Sequence, residues 1–154
     1  ADTSIRREQW KVIARRRCIW GESWAIMGDL NDIRSNAEKW GGRQRADVSF
    51  QDFNSFINGN ELVDIGYERA PWTWCNNWKR EGEVKERIDR ILGNKGWIRK
   101  FGKANCAHIE AEASDHCILL LDTKPERKKW KRRFVFDRRW LQHGDIEEVR
   151  SLGE

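Results

Sequence analysis

The sequence predicts an α/β domain, and three observations predict it. Short apolar runs of strand length recur along the chain, several of them bordered by polar motifs. Between them lie segments whose apolar residues repeat at helical spacing. The chain of 154 residues is 38% hydrophobic, enough for one domain with a substantial core.

Ser4 to Arg17 reads as a helix, with Trp10 and Ile13 available for a buried face. Trp24-Ala25-Ile26-Met27 is a buried-strand candidate leading into Gly28-Asp29. Asn36 to Asp47 is polar and carries Gly41-Gly42, so a loop is expected. Ser49 opens a second helix with Asp52 in a capping-box position; Phe50, Phe53, Phe56 and Ile57 form its core face and Gly59-Asn60 its end. Leu62 to Gly66 and Pro71 to Cys75 are rich in strand formers. Asn76 to Glu83 reads as a turn, and Val84 to Leu92 as the paired strand of a hairpin. Asn94 caps a short helix through Trp97, Ile98 and Phe101, and Cys117 to Leu121 is a last buried strand. From Lys124 to Arg133, Lys or Arg fills seven of ten positions, a surface linker or electrostatic patch. Phe134, Phe136, Trp140 and Leu141 are apolar anchors beyond it, and Asp145 to Leu152 begins a further helix.

Charged residues make up 36%, above the usual quarter or so, and the net charge of +5 favours an acidic partner, nucleic acid first. A basic surface that merely keeps the protein soluble is the plainer alternative. No apolar run is long enough to span a membrane, and Ala1 to Arg17 lacks the apolar stretch of a secretory signal. Cys18, Cys75, Cys106 and Cys117 form no CxxC pair and read as reduced, mostly buried thiols of an intracellular protein. Ten tryptophans are expected to pack, with one or two left for base stacking.

Three polar motifs carry the chemistry: Gly28-Asp29-Leu30-Asn31, Glu86-Arg87-Ile88-Asp89-Arg90 and Ser114-Asp115-His116. Asp29 and Asn31, two apart, share a face if the strand continues that far; a turn is the competing reading. Glu86 to Arg90 equally suits a salt-bridged surface strand. His116 enters a buried strand behind an Asp, where an acidic partner elsewhere can fix its tautomer. His108, on a strand, and His143, in the tail, are expected to be structural or surface residues.

Taken jointly, the motifs resemble the endonuclease/exonuclease/phosphatase family of metal-dependent phosphodiesterases. The likeness is closer to the endonuclease domain of plant LINE-type (non-LTR) retrotransposons. Arg6-Arg7-Glu8-Gln9-Trp10, Gly28 to Ile33, Glu38-Lys39-Trp40-Gly41-Gly42 and Pro71-Trp72-Thr73-Trp74 carry it. So do Glu86 to Arg90, Ser114 to Cys117, and the tail from Arg133 to Phe136 and Trp140-Leu141.

The resemblance implies half of a four-layer α/β sandwich, a mixed or antiparallel sheet with helices on one face. Residues 1–123 match the second half of such a domain, and residues 124–154 form the basic linker and the start of a following segment. The resemblance further implies Asp29 and Asn31 at the scissile phosphate and its attacking water. It makes Asp89 the carboxylate that orients the catalytic His116, and Asp115 a metal-site acid. Asn76, Arg87, Arg90 and Ser114 are the candidate phosphate or DNA contacts. The metal implied is Mg²⁺, with Mn²⁺ as the alternative, and the substrate is DNA.

The family's first half supplies a metal-binding Glu that nothing ahead of Asp29 matches. The expectation is therefore a missing half-domain or covering partner over an apolar sheet face, fusion to a reverse transcriptase, and a nuclear location. A truncated, inactive remnant that at most binds nucleic acid is the alternative. A phosphatase or deadenylase within the same family is a third reading.

Overall fold

The structure, a computed structural model, describes residues 2–78 and 82–125. The basic tail, with its anchors, His143 and its expected helix, lies outside the described residues from 126 onward.

Helix α1 runs over Thr3–Arg16, capped by the Asp2 carboxylate, which accepts the Ser4 N–H at 2.7 Å. Its buried residue, Trp10, packs on helix α2 (Gln51–Gly59), with ring centroids 5.0 Å from Phe53 and 5.9 Å from Phe56. The helix α2 region starts differently from expectation. A 3-10 turn over Asp47–Phe50 leads into it without a side-chain cap, and Asp52 instead pairs with Arg7. Phe50, Phe53, Phe56 and Ile57 are buried as their spacing predicts.

Among the described residues, nine short strands make three three-stranded sheets. The first joins β1 (Ala25–Asp29), β7 (Asp89–Asn94) and β3 (Leu62–Asp64), antiparallel, with β7 in the centre. The second joins β2 (Lys39–Trp40), β6 (Lys85–Glu86) and β5 (Trp74–Cys75), also antiparallel. The third is mixed: β4 (Glu68–Arg69) runs parallel to β8 (Asn105–Ile109), and β9 (Ile118–Asp122) antiparallel to it. The fold is thus α/β, divided among small sheets.

The hairpin expected over Val84 to Leu92 forms only at β5–β6. At Arg87-Ile88 the chain leaves that sheet and enters the first one as β7. Alternation along β7 sends Leu92 to one side, into a core of Trp10, Trp24, Leu30, Phe53, Phe56, Ile57 and Leu62. Gly93 faces the other side, where a Cβ would stand 2.8 Å from the Trp97 ring. Helix α3 (Lys95–Lys100), capped by Asn94 as expected, therefore lies opposite α1 and α2, so helices occupy both faces of this sheet.

Three burial expectations need correction. Met27, Ile118 and Leu120 are more than half exposed, so β1 and β9 are each wet on one side. Trp20, Trp40 and Trp78 are exposed, more than one or two, and among the free cysteines only Cys106 is buried. No helix among the described residues is long and apolar enough to cross a membrane.

Candidate active site

Asp29 and Asp89 face each other across the β1–β7 ladder as register partners. Paired residues on adjacent strands share a face, so two carboxylates stand side by side where β1 ends and β7 begins. His116, just before β9, completes the group: its Nδ1 lies 3.0 Å from Asp89 Oδ2. Asp89 is buried and His116 is part-exposed. Donation from Nδ1 to the carboxylate leaves Nε2 as the basic nitrogen.

The strand reading of Asp29 and Asn31 does not hold past Asp29. Asn31 turns into the left-handed region at φ 56, where asparagine is among the better tolerated residues. Its backbone N–H and its Nδ2 both donate to the Asp29 carboxylate at 2.7 Å. The pair is a closed turn, with Asn31 orienting Asp29. Partial burial pushes the Asp29 carboxyl above its usual range; the Asn31 amide opposes this and the Asp89 charge adds to it.

His116 is held by backbone on both sides. Cys75 N–H donates to Asp115 O at 2.9 Å, Cys117 N–H donates to Thr73 O at 2.7 Å, and Trp74 bridges to His116. Ser114 Oγ accepts the His116 N–H at 3.0 Å, which makes Ser114 a turn-former beside the site. Asp115 is exposed, and its Oδ2 accepts the Trp74 indole N–H at 2.9 Å. A cleft of about 780 Å³ opens here, lined by Trp74, Asn76, Lys85, Ser114, Asp115 and His116 among others.

Three expected phosphate contacts are committed to partners within the protein. Arg87 and Arg90 are buried, not presented to solvent. Arg87 grips Asp64 with two bonds of 2.9 and 2.7 Å, and Arg90 reaches Glu38 at 2.8 Å and Asp64 at 3.2 Å. A guanidinium in the interior needs carboxylate partners, and these arginines spend their charge on them. Asn76 is likewise occupied: its Oδ1 accepts from Trp78 and Val84, and its Nδ2 donates to Gly82 O at 2.8 Å. It shapes the hairpin loop.

Thr73, Glu38, Asp64 and Tyr67 are not among the expected site residues. Thr73 had no local signal: alternation with Trp72 and Trp74 in a strand-forming run turns the tryptophans inward and Thr73 outward, yet Thr73 is fully buried. Burial keeps the Glu38 and Asp64 carboxyls from ionising freely, yet the two arginines overcome this and hold both below the usual range. Arg87 also lies over the Tyr67 ring at 4.6 Å, and Tyr67 stacks on His108 at 4.9 Å. His108 is structural as expected, buried with Nδ1 2.7 Å from Ala70 O.

No group of three or more His, Cys, Asp or Glu side chains among the described residues is placed to hold a metal. Mg²⁺ asks less, because it keeps several waters and takes one or two protein carboxylates. The Asp115 and Asp29 carboxylates are hard oxygen donors of the kind it takes. No protein-family model matches the chain, and no curated protein matches it significantly.

Proposed function

We propose that the chain belongs to a metal-dependent phosphodiesterase acting on DNA, of the retroelement endonuclease type its motifs resemble. The observation that carries this reading is the Asp89–His116 pair at 3.0 Å, beside an Asp29 ordered by Asn31. In this reading Asp89 fixes the Nδ1–H tautomer, and Nε2 of His116 takes a proton from the attacking water or steadies developing charge. Asp29 and Asn31 orient that water and the phosphate. Asp115 and Asp29 would hold Mg²⁺ or Mn²⁺, which when bound supplies Lewis-acid polarisation of the phosphate.

The reading extends to architecture: the three sheets belong to one half of a four-layer sandwich. The exposed Met27 and Val63, on the face turned away from α1 and α2 that α3 covers only in part, support a covering half-domain there. Fusion to a reverse transcriptase and a nuclear site of action follow from the same resemblance.

Incubation with supercoiled plasmid and Mg²⁺ tests it. Nicking by the chain that Asp29→Ala and His116→Ala abolish is the expected result. Nicking absent, or equal in the two variants, would sink hydrolysis by this chain. Salt-sensitive DNA binding without nicking would then favour a nucleic-acid-binding remnant.

A further inference from the structure

Thr73 is fully buried and touches each segment that carries the Asp89–His116 pair. Its Oγ1 accepts the N–H of Ile88 at 3.0 Å and the N–H of Asp89 itself at 2.9 Å. Its carbonyl accepts the N–H of Cys117, the residue after His116, at 2.7 Å. Its own N–H donates to Glu86 O at 3.0 Å, on the hairpin strand β6.

The location explains why a hydroxyl is needed. The chain passes from one sheet to another at Arg87-Ile88, so the first N–H groups of the new strand lack a regular ladder partner. An oxygen with two lone pairs can accept both, and a buried side chain holds it still.

We propose that Thr73 is the positioning residue of the Asp89–His116 pair. One rigid residue sets the Asp89 backbone by its side chain and the His116 segment by its main chain. The separation of Nδ1 and Oδ2 is thereby fixed by a shared anchor, not by two independent loops. This rests on the reading of the pair as the proton-handling group; the placement itself does not depend on which substrate is cleaved.

Thr73→Val and Thr73→Ser in the full chain separate this role from simple packing. Valine keeps the branched shape and loses the acceptor; serine keeps the acceptor. The first readout is the ¹⁵N spectrum of the His116 ring, which reports its tautomer without any substrate. Wild type and Thr73→Ser should show a single Nδ1–H form, and Thr73→Val a mixture. The second readout is plasmid nicking, in which Thr73→Val should lower kcat by about 10²-fold at unchanged KM, with serine restoring most of it.

An unchanged tautomer in a folded Thr73→Val protein would overturn the proposal. So would an equal kcat loss in the serine variant. If wild type does not nick, the functional reading fails while the ring spectrum still decides the role of Thr73. If Thr73→Val does not fold, hydrogen exchange in wild type decides. Matched protection of the Ile88, Asp89 and Cys117 amides supports the shared anchor, and Asp89 exchanging like an exposed loop overturns it.

Discussion

Arg90 and Glu38 meet inside the protein, with guanidinium Nη2 2.8 Å from carboxylate Oε2 and the arginine side chain wholly removed from solvent. Asp64 and Arg87 close the group into a four-membered set of alternating charges. Removing one member strands the others, because desolvation has already been borne and the compensating charge is gone. Arg90→Leu should therefore cost about 3–5 kcal/mol, read as a fall in urea midpoint. A loss below about 1 kcal/mol would mean that the interior there is wet.

The same set gives an acid-sensitive stability. Glu38 and Asp64 have folded-state values below their unfolded ones. Their contribution is present above the unfolded values and is lost as pH falls through the folded ones. Thermal scans should show the midpoint dropping steeply below about pH 4, and Glu38→Gln with Asp64→Asn should flatten that slope while lowering the plateau.

His108 acts in a higher window. Burial depresses its folded-state value, and the Ala70 carbonyl only partly offsets this. The unfolded chain then binds the proton more readily, so stability declines as pH falls below about 6.5. His108→Asn, which can still donate to Ala70 O, should remove the slope between about pH 6.5 and 5. Persistence of that slope would assign it to another group.

Asp89→Asn isolates tautomer control. The amide preserves shape but can donate to Nδ1, which reverses the ring's orientation of donor and acceptor. Under the proposed hydrolysis, kcat for nicking should fall by about 10²–10⁴-fold, with the melting temperature nearly unchanged. A matching loss of folding would make the pair structural.

The elements legible in the sequence were those governed by local periodicity and capping. Trp10, Phe53, Phe56 and Ile57 announce their helices by spacing, and Asn94 announces its cap. What was illegible depends on pairing between distant segments. Nothing local marks Arg87 and Arg90 as interior residues, since their partners Glu38 and Asp64 belong to other segments. Nor does Gly28-Asp29-Leu30-Asn31 reveal that the strand stops at Asp29, because the left-handed turn at Asn31 is set by a side chain folding back. Ser114-Asp115-His116 was legible as a motif, whereas the buried hydroxyl of Thr73 becomes visible only once β7 is seen to change sheets.

That change of sheet at Arg87-Ile88 has a kinetic consequence. Local hairpin closure at β5–β6 takes microseconds and needs nothing else. Entry of the same run into the first sheet requires β1 and the segment at Thr73, while His116 is a further 27 residues beyond Asp89. Contacts this far apart along the chain form slowly. The Asp29, Asp89 and His116 group thus reports completed topology, and a partly folded chain can own helices α1 and α2 and still have no site at all.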